Sequence, residues 1–145
     1  MQETDIMIQK LERLLRQINH QNNISTRRYL AERGMTMARF WVINNLSFDK
    51  PLTMGELQKQ LCLSPGTLTG LVDGLVEGEL VRRRRDEDDR RLVYLTLSEQ
   101  GQAFFEDVIN YRAALLQSII KDKKNIDIEQ LNHGLQYILD RFEII

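Results

Sequence analysis

The sequence predicts a mainly α-helical chain with one small β-hairpin near its middle. Three observations carry that prediction. Apolar residues recur at helical spacing over most of the 145 residues. Cap signals at Thr53 and Ser64 open two short helices in quick succession. After Gly78 the apolar period falls from 3.6 to 2 around an arginine-rich stretch.

Taken in order, the first thirty residues read as a helix, because Met7, Leu11, Leu14 and Ile18 fall on one stripe. The polar run from Asn19 to Ser25 predicts a bend or an end there, with helix resuming toward Tyr29 and Leu30 and stopping at Gly34. Thr36 is a candidate cap for a second helix through Phe40, Trp41 and Ile43 to Leu46, and Lys50 before Pro51 excludes its continuation. Thr53 and Glu56 have capping-box spacing, which starts a short helix with Leu57 and Leu61 inward. Cys62 and Leu63 make a turn. Ser64 then caps a further helix that has Pro65 at its first position. Leu68, Leu71, Val72 and Leu75 form its buried stripe, and Gly66, Thr67, Thr69, Gly70 and Asp73 leave the opposite face sparse and polar. Two short helices joined by a tight turn make a helix-turn-helix pattern.

Leu80-Val81 and Leu92 to Leu97 have strand character and flank the charged residues between them, which predicts a β-hairpin with an arginine-rich tip. Ser98 restarts helix, continued by Phe104, Phe105, Val108, Leu115 and Ile119. Residues 121–125 interrupt it, and a last helix carries Leu131, Leu135, Ile138, Leu139 and Phe142.

Composition limits the function classes. Twenty basic and 21 acidic residues sum to a net charge of −1, which excludes a polybasic tail-driven binder and an acidic solvating protein. No apolar run approaches the roughly 20 residues of a membrane-spanning helix, and the acidic, polar N-terminus predicts no signal peptide. One cysteine, Cys62, allows no intramolecular disulfide, which fits a reducing, cytoplasmic setting. Its position between Leu61 and Leu63 predicts a small buried hydrophobe rather than a redox sensor. His20 and His133 lack partners at ligand spacing, so no metal or other cofactor is expected. No nucleophile–base set, paired-carboxylate signature or phosphate loop appears, so an enzyme is not expected. What stands out is local: Arg82 to Arg85, then Asp86-Glu87-Asp88-Asp89, then Arg90-Arg91.

Residues 53–101 resemble the MarR family of winged helix-turn-helix transcription regulators. Leu61 to Leu75, with Ser64-Pro65-Gly66-Thr67, looks like the turn and recognition helix, and Asp86 to Arg91 followed by Leu95 to Gly101 looks like the wing and the start of the next helix. The flanking helical segments have the lengths the family uses. Two departures stand out: Gly70 and Gly74 occupy positions near which the family commonly has a basic residue, and Gly78 lies one place before the family's usual glycine, where this chain has Glu79.

The resemblance implies double-stranded DNA as partner. A helix fits the major groove with its N-terminal residues nearest the base edges, here Ser64, Pro65, Gly66, Thr67, Thr69 and Gly70. None of these makes a bidentate guanine contact, so modest base readout is expected, with the helix amides on a phosphate. By resemblance Arg91 is the wing-tip residue for the minor groove, with Asp89 holding its guanidinium, and Arg84, Arg85 and Arg90 contact flanking phosphates. Asp86, Glu87 and Asp88 oppose that role unless they point away or pair with arginines.

Residues 1–35 and 98–145 carry more apolar surface than a domain of this size buries alone, which predicts dimerisation helices on either side of a DNA-binding domain at 36–97. The resulting homodimer would meet a pseudo-palindromic site. Family analogy adds a small-molecule effector and a repressor role. Tyr29, Met35, Met37, Phe40 and Trp41 are candidate pocket residues, although core packing explains them equally well. The rival class is a dimeric protein–protein interaction module on the same fold without operator binding.

Overall fold

The computed structural model describes residues 2–121, 124 and 126–142. Its elements run α1 (Glu3–Ala31), α2 (Met37–Asn45), β1 (Leu52–Thr53), α3 (Met54–Leu61), α4 (Pro65–Glu77), β2 (Val81–Arg85), β3 (Val93–Leu97), α5 (Glu99–Ile120) and α6 (Ile128–Phe142). The chain divides into two compact units, Met1–Arg112 and Ala113–Ile145. The interruption expected at 121–125 rests partly on Asp122, Lys123 and Asn125, which lie outside the described residues.

α1 runs unbroken through the polar stretch that predicted a bend. Burial explains the difference: residues 22–25 are half-buried and Thr26 and Leu30 fully buried, so packing outweighs local propensity, while the Ser25 and Thr26 hydroxyls are satisfied by donating to the Asn22 carbonyl at 3.0 and 2.8 Å. The helix stops where expected. Gly34 takes a left-handed φ of 69°, and the Met35 N–H donates to the Leu30 carbonyl at 3.0 Å, closing the terminal loop.

Three caps form as the sequence predicts. Thr36 accepts from the Arg39 N–H, Thr53 and Glu56 form a reciprocal capping box, and Ser64 accepts from the Thr67 N–H. Around these starts the apolar faces converge. Leu30, Phe40, Val42, Ile43, Leu57, Leu68, Val72, Leu75, Val81, Leu95, Leu97 and Val108 form one core in the first unit. Tyr29 ties α1 to the middle of α5: its hydroxyl donates to Asp107 at 2.7 Å and its ring stacks on Tyr111 at 4.0 Å. That bond, more than burial, pushes the phenol pKa above its ordinary value.

The hairpin differs from expectation in two respects. Arg82 to Arg85 are strand residues rather than tip residues, because β2 runs Val81–Arg85 and only residues 86–92 form the turn. The apolar partners on β3 impose that length: Val81 pairs with Leu97, Arg83 with Leu95 and Arg85 with Val93. A third strand also appears. β1, two residues long, pairs antiparallel with β3 through Leu52–Leu95 and Thr53–Tyr94, giving the order β1-β3-β2.

The hairpin meets the helices at one junction. α4 ends in a left-handed residue like that after α1, with the Leu80 N–H donating to the Leu75 carbonyl at 2.9 Å, but the residue with positive φ is Glu79, at 62°. Gly78 has an ordinary φ of −76°. Leu80 also accepts from the Ser98 N–H at 3.0 Å, and the Ser98 hydroxyl donates to the Glu79 carbonyl at 2.6 Å. A Cβ on Gly101 would lie 2.0 Å from the Leu80 carbonyl oxygen, so only glycine fits there.

In the second unit, Leu116 and Ile119 of α5 and Leu131, Leu139 and Phe142 of α6 are at least half exposed. Along α1, Ile6, Met7, Ile8 and Ile18 are more than half exposed as well.

Two substitutions test the junction by urea unfolding. Glu79→Gly removes a left-handed β-carbon and is expected to raise stability by about 0.5–1 kcal/mol, the gain being reduced by glycine's entropy in the unfolded chain. Gly101→Ala is expected to lower it by about 2 kcal/mol or more through overpacking. Equal midpoints for all three proteins would refute the junction as described.

Candidate nucleic-acid interface

The N-terminal turn of α4 is held by its own hydroxyls. Ser64 Oγ accepts from the Thr67 N–H at 3.3 Å and donates to Thr67 Oγ1 at 2.8 Å. Thr69 Oγ1 donates to the Pro65 carbonyl at 2.8 Å. Two of the three hydroxyl protons are therefore committed inside the helix, and Thr67 retains a proton to donate outward. Pro65, Gly66, Thr67, Thr69 and Gly70 are all exposed, and nothing lies within 4 Å of where a Cβ on Gly66 or Gly70 would be.

Strand alternation sorts the arginines of β2. Arg83 and Arg85 lie on the face that shares Leu95 and Leu97 with the core, and Arg82 and Arg84 lie on the other. Arg84 and Arg85 thus face opposite ways. Arg84 lies over the Tyr94 ring at 5.3 Å, and Arg85 Nη1 donates to the Arg90 carbonyl at 3.0 Å. Arg83, absent from the sequence-based set, reaches α4, its Nη1 lying 2.5 Å from Asp73 Oδ1. The signal for it is the two-residue strand period, which a loop at Arg82 to Arg85 would lack. Pro65 and Thr69 of α4 and Arg83 and Arg85 of β2 line a common cleft with Met54, Leu68 and Val93.

The acidic turn has a structural job. Asp86 Oδ2 accepts from the N–H groups of Asp88 and Asp89, at 3.2 and 2.9 Å. Asp89 Oδ1 accepts from the Arg91 N–H at 3.0 Å and lies 3.1 Å from Arg91 Nε, with Oδ2 3.3 Å from Nη2. These bonds from Arg91 hold the Asp89 carboxyl below its ordinary pKa. Arg91 is itself 90% exposed, and Arg90, Glu87 and Asp88 are exposed too. Two of the four acids therefore shape the tip. Among the described contacts, none brings Gly66, Thr67 or Gly70 of α4 to Arg90 or Arg91.

Two other expectations change. Cys62 is exposed, not buried: it is the left-handed C-cap of α3, at φ 52°, with its Sγ 3.6 Å from the Lys59 carbonyl. Of the five candidate pocket residues, Phe40 and Met37 are core, Met35 packs against the core and Tyr29 against Tyr111, while Trp41 is 45% exposed. None of the five lines the α4–hairpin cleft or the groove beside β2 and the start of α5. Packing explains the buried ones.

Comparison with known proteins agrees with this geometry. Residues 35–93, spanning α2 through the first residue of β3, match the MarR family profile. A MarR family protein of Bacillus stearothermophilus superposes with a TM-score of 0.83 at 28% identity, covering 96% of this chain and 97% of that one. The chain is thus similar to MarR-family proteins in its helix-turn-helix and hairpin sequence and in its fold. The MarR-type winged-helix fold extends over nearly the whole chain, since that superposition includes the long terminal helices. By sequence the chain is 28% identical to the transcriptional repressor MdtR of Bacillus subtilis over 60% of its own length and 56% of the repressor's. It is 27% identical to the repressor YetL of the same organism, over 79% of this chain and 68% of that one. The chain therefore spans little more than half the length of MdtR. Among the described residues, no helix is long and apolar enough to cross a membrane, and no three acidic, histidine or cysteine side chains cluster as metal ligands.

The Asp89–Arg91 pair is open to measurement by carboxyl NMR. Its pKa is lowered, so the pair is complete above the ordinary carboxylate range and is lost only as pH falls below it. Asp89 is expected to titrate below a free aspartate and to return to the ordinary range in Arg91→Gln. Identical titration in the two proteins would remove the pair from the wing.

Proposed function

We propose that this protein is a DNA-binding transcription regulator, acting as a homodimeric repressor on a pseudo-palindromic operator and released by a small-molecule effector. The observation that carries the reading is the wing. Six arginines are spread over its strand and turn, and Asp86 and Asp89 spend their charge bonding the turn rather than facing outward. Arg91 is thereby presented at the tip, braced by Asp89 and nine-tenths exposed, in the form a narrow minor groove accepts. The exposed small residues at the start of α4 suit close approach to base edges, with Thr67 the donor. The repressor role follows the family and its named relatives. Ser64, Pro65, Gly66, Thr67, Thr69, Gly70, Arg84, Arg85, Asp89, Arg90 and Arg91 are the residues assigned to the interface, and Arg83 joins them through Asp73.

Homodimerisation accounts for the exposed apolar side chains of α1, α5 and α6, which are too many and too large for a solvated surface. A two-fold pair would set two copies of α4 about one DNA turn apart. Sedimentation is expected to give a dimer, and Leu131→Asp with Leu139→Asp to give monomers. A wild-type monomer at micromolar concentration would overturn this part.

The deciding experiment is fluorescence anisotropy on the protein's own upstream DNA against a scrambled duplex across a salt series. Tighter, steeply salt-dependent binding to the native duplex at one dimer per site is expected. Arg91→Ala is expected to weaken it by about 1–3 kcal/mol and to reduce the salt slope by about one. Absence of binding to either duplex at low salt would favour a protein-interaction role instead.

A further inference from the structure

α4 has no cation of its own: Gly66, Gly70, Asp73 and Glu77 are exposed, Gly74 is half-buried beside them, and the helix's only charges are two carboxylates. A helix of that composition repels the polyanion it is meant to enter. Two neighbours answer this. On one flank Arg83 of β2 neutralises Asp73. On the other, Arg39 of α2 lays its guanidinium directly on Gly74. A Cβ at position 74 would be 2.8 Å from Nη2, 3.0 Å from Cζ and 3.2 Å from Nε of Arg39, so the whole planar group rests where any other residue's side chain would begin.

Stability does not explain that placement. Arg39 lies in the first turn of α2, the end of a helix where the backbone dipole disfavours a positive charge. Its guanidinium has no carboxylate, carbonyl or ring partner among the described residues, although Asp73 and Glu77 are on the same helix as Gly74. It is half-buried, so part of its hydration is already given up. An unpaired, partly desolvated planar cation on the flank of an anionic helix face matches what a DNA phosphate requires, because the guanidinium fork binds phosphate oxygens bidentately.

We propose that Arg39 contacts a backbone phosphate at the edge of the major groove, with Gly74 as its seat, so that α2 supplies the charge α4 lacks. This rests on the DNA-binding reading above. Residues 73 and 74 project about 100° apart around α4, so Arg83 and Arg39 bracket the helix on different sides.

The test compares wild type, Arg39→Gln and Arg39→Lys by anisotropy on the native and scrambled duplexes across a salt series, with thermal melting as a folding check. Arg39→Gln is expected to melt with the wild type and to lose roughly ten-fold in affinity on both duplexes alike, with the salt slope lower by about one. Arg39→Lys is expected to keep the slope while losing part of the affinity. Wild-type affinity and slope in Arg39→Gln would overturn the proposal and leave the DNA-binding reading standing. A large drop in melting temperature in both variants would make the guanidinium structural and overturn it as well. No salt-dependent binding by the wild type would overturn both.

Discussion

The hairpin's position depends on a single close approach, that of the α5 backbone to the Leu80 carbonyl. Gly101 has no β-carbon, so the first turn of α5 can settle against Leu80, whose oxygen also accepts from the Ser98 N–H. Ser98 completes the junction by donating to Glu79 and accepting from the Gly101 N–H. The end of α4, the start of β2, the end of β3 and the start of α5 therefore meet within a few residues. Everything placed by the hairpin, including Arg83 on α4 and Arg91 at the tip, inherits its direction from that point. The left-handed conformation at Glu79 is the local strain this closure imposes, sustained because the Leu75 and Val76 carbonyls are both satisfied across it.

Charge in the first unit follows the same economy. Summed over the chain it nearly vanishes, yet strand geometry deals three of the four arginines of β2 to different tasks. Arg83 holds α4, Arg85 holds the turn through the Arg90 carbonyl, and Arg84 stacks on Tyr94. Acids that look like a barrier to a polyanion prove to be the turn's scaffold. Surface ion pairs of this kind contribute little stability, on the order of 0–1 kcal/mol. Their effect is on orientation.

Much of this was legible in the sequence, for identifiable reasons. Caps at Thr36, Thr53 and Ser64 are local chemistry, readable within four residues, and all three formed. Helix and strand periods gave the elements because burial enforces them. The misses share a different cause: each turned on a partner distant in sequence or on backbone conformation. β1 is two residues of irregular-looking chain made into strand by β3. Arg82 to Arg85 became strand because Leu95, Leu97 and Val93 lay opposite. Cys62 is exposed as the left-handed cap of α3, and Asn19 to Ser25 are helical in a stretch that leads into the fully buried Thr26 and Leu30. Arg83 and Arg39 carry no motif at all.

The glycines of α4 bear on why the charge sits where it does. Gly70 and Gly74 are interior to the helix, and each weakens it by about 1 kcal/mol relative to alanine. The helix persists because Leu68, Val72 and Leu75 are buried on its other side, where packing outweighs propensity. A helix secured mainly by its inner face can keep small residues on its outer one. Gly70 leaves that face open, and Gly74 leaves room for Arg39. An arginine grown from α4 itself would add bulk to the surface that, in the proposed complex, enters a groove about 12 Å wide. One borrowed from α2 adds charge at the helix's flank while its centre stays thin. In the proposed complex, reading groove shape and holding phosphate are separated between elements, which one side chain on α4 could not achieve.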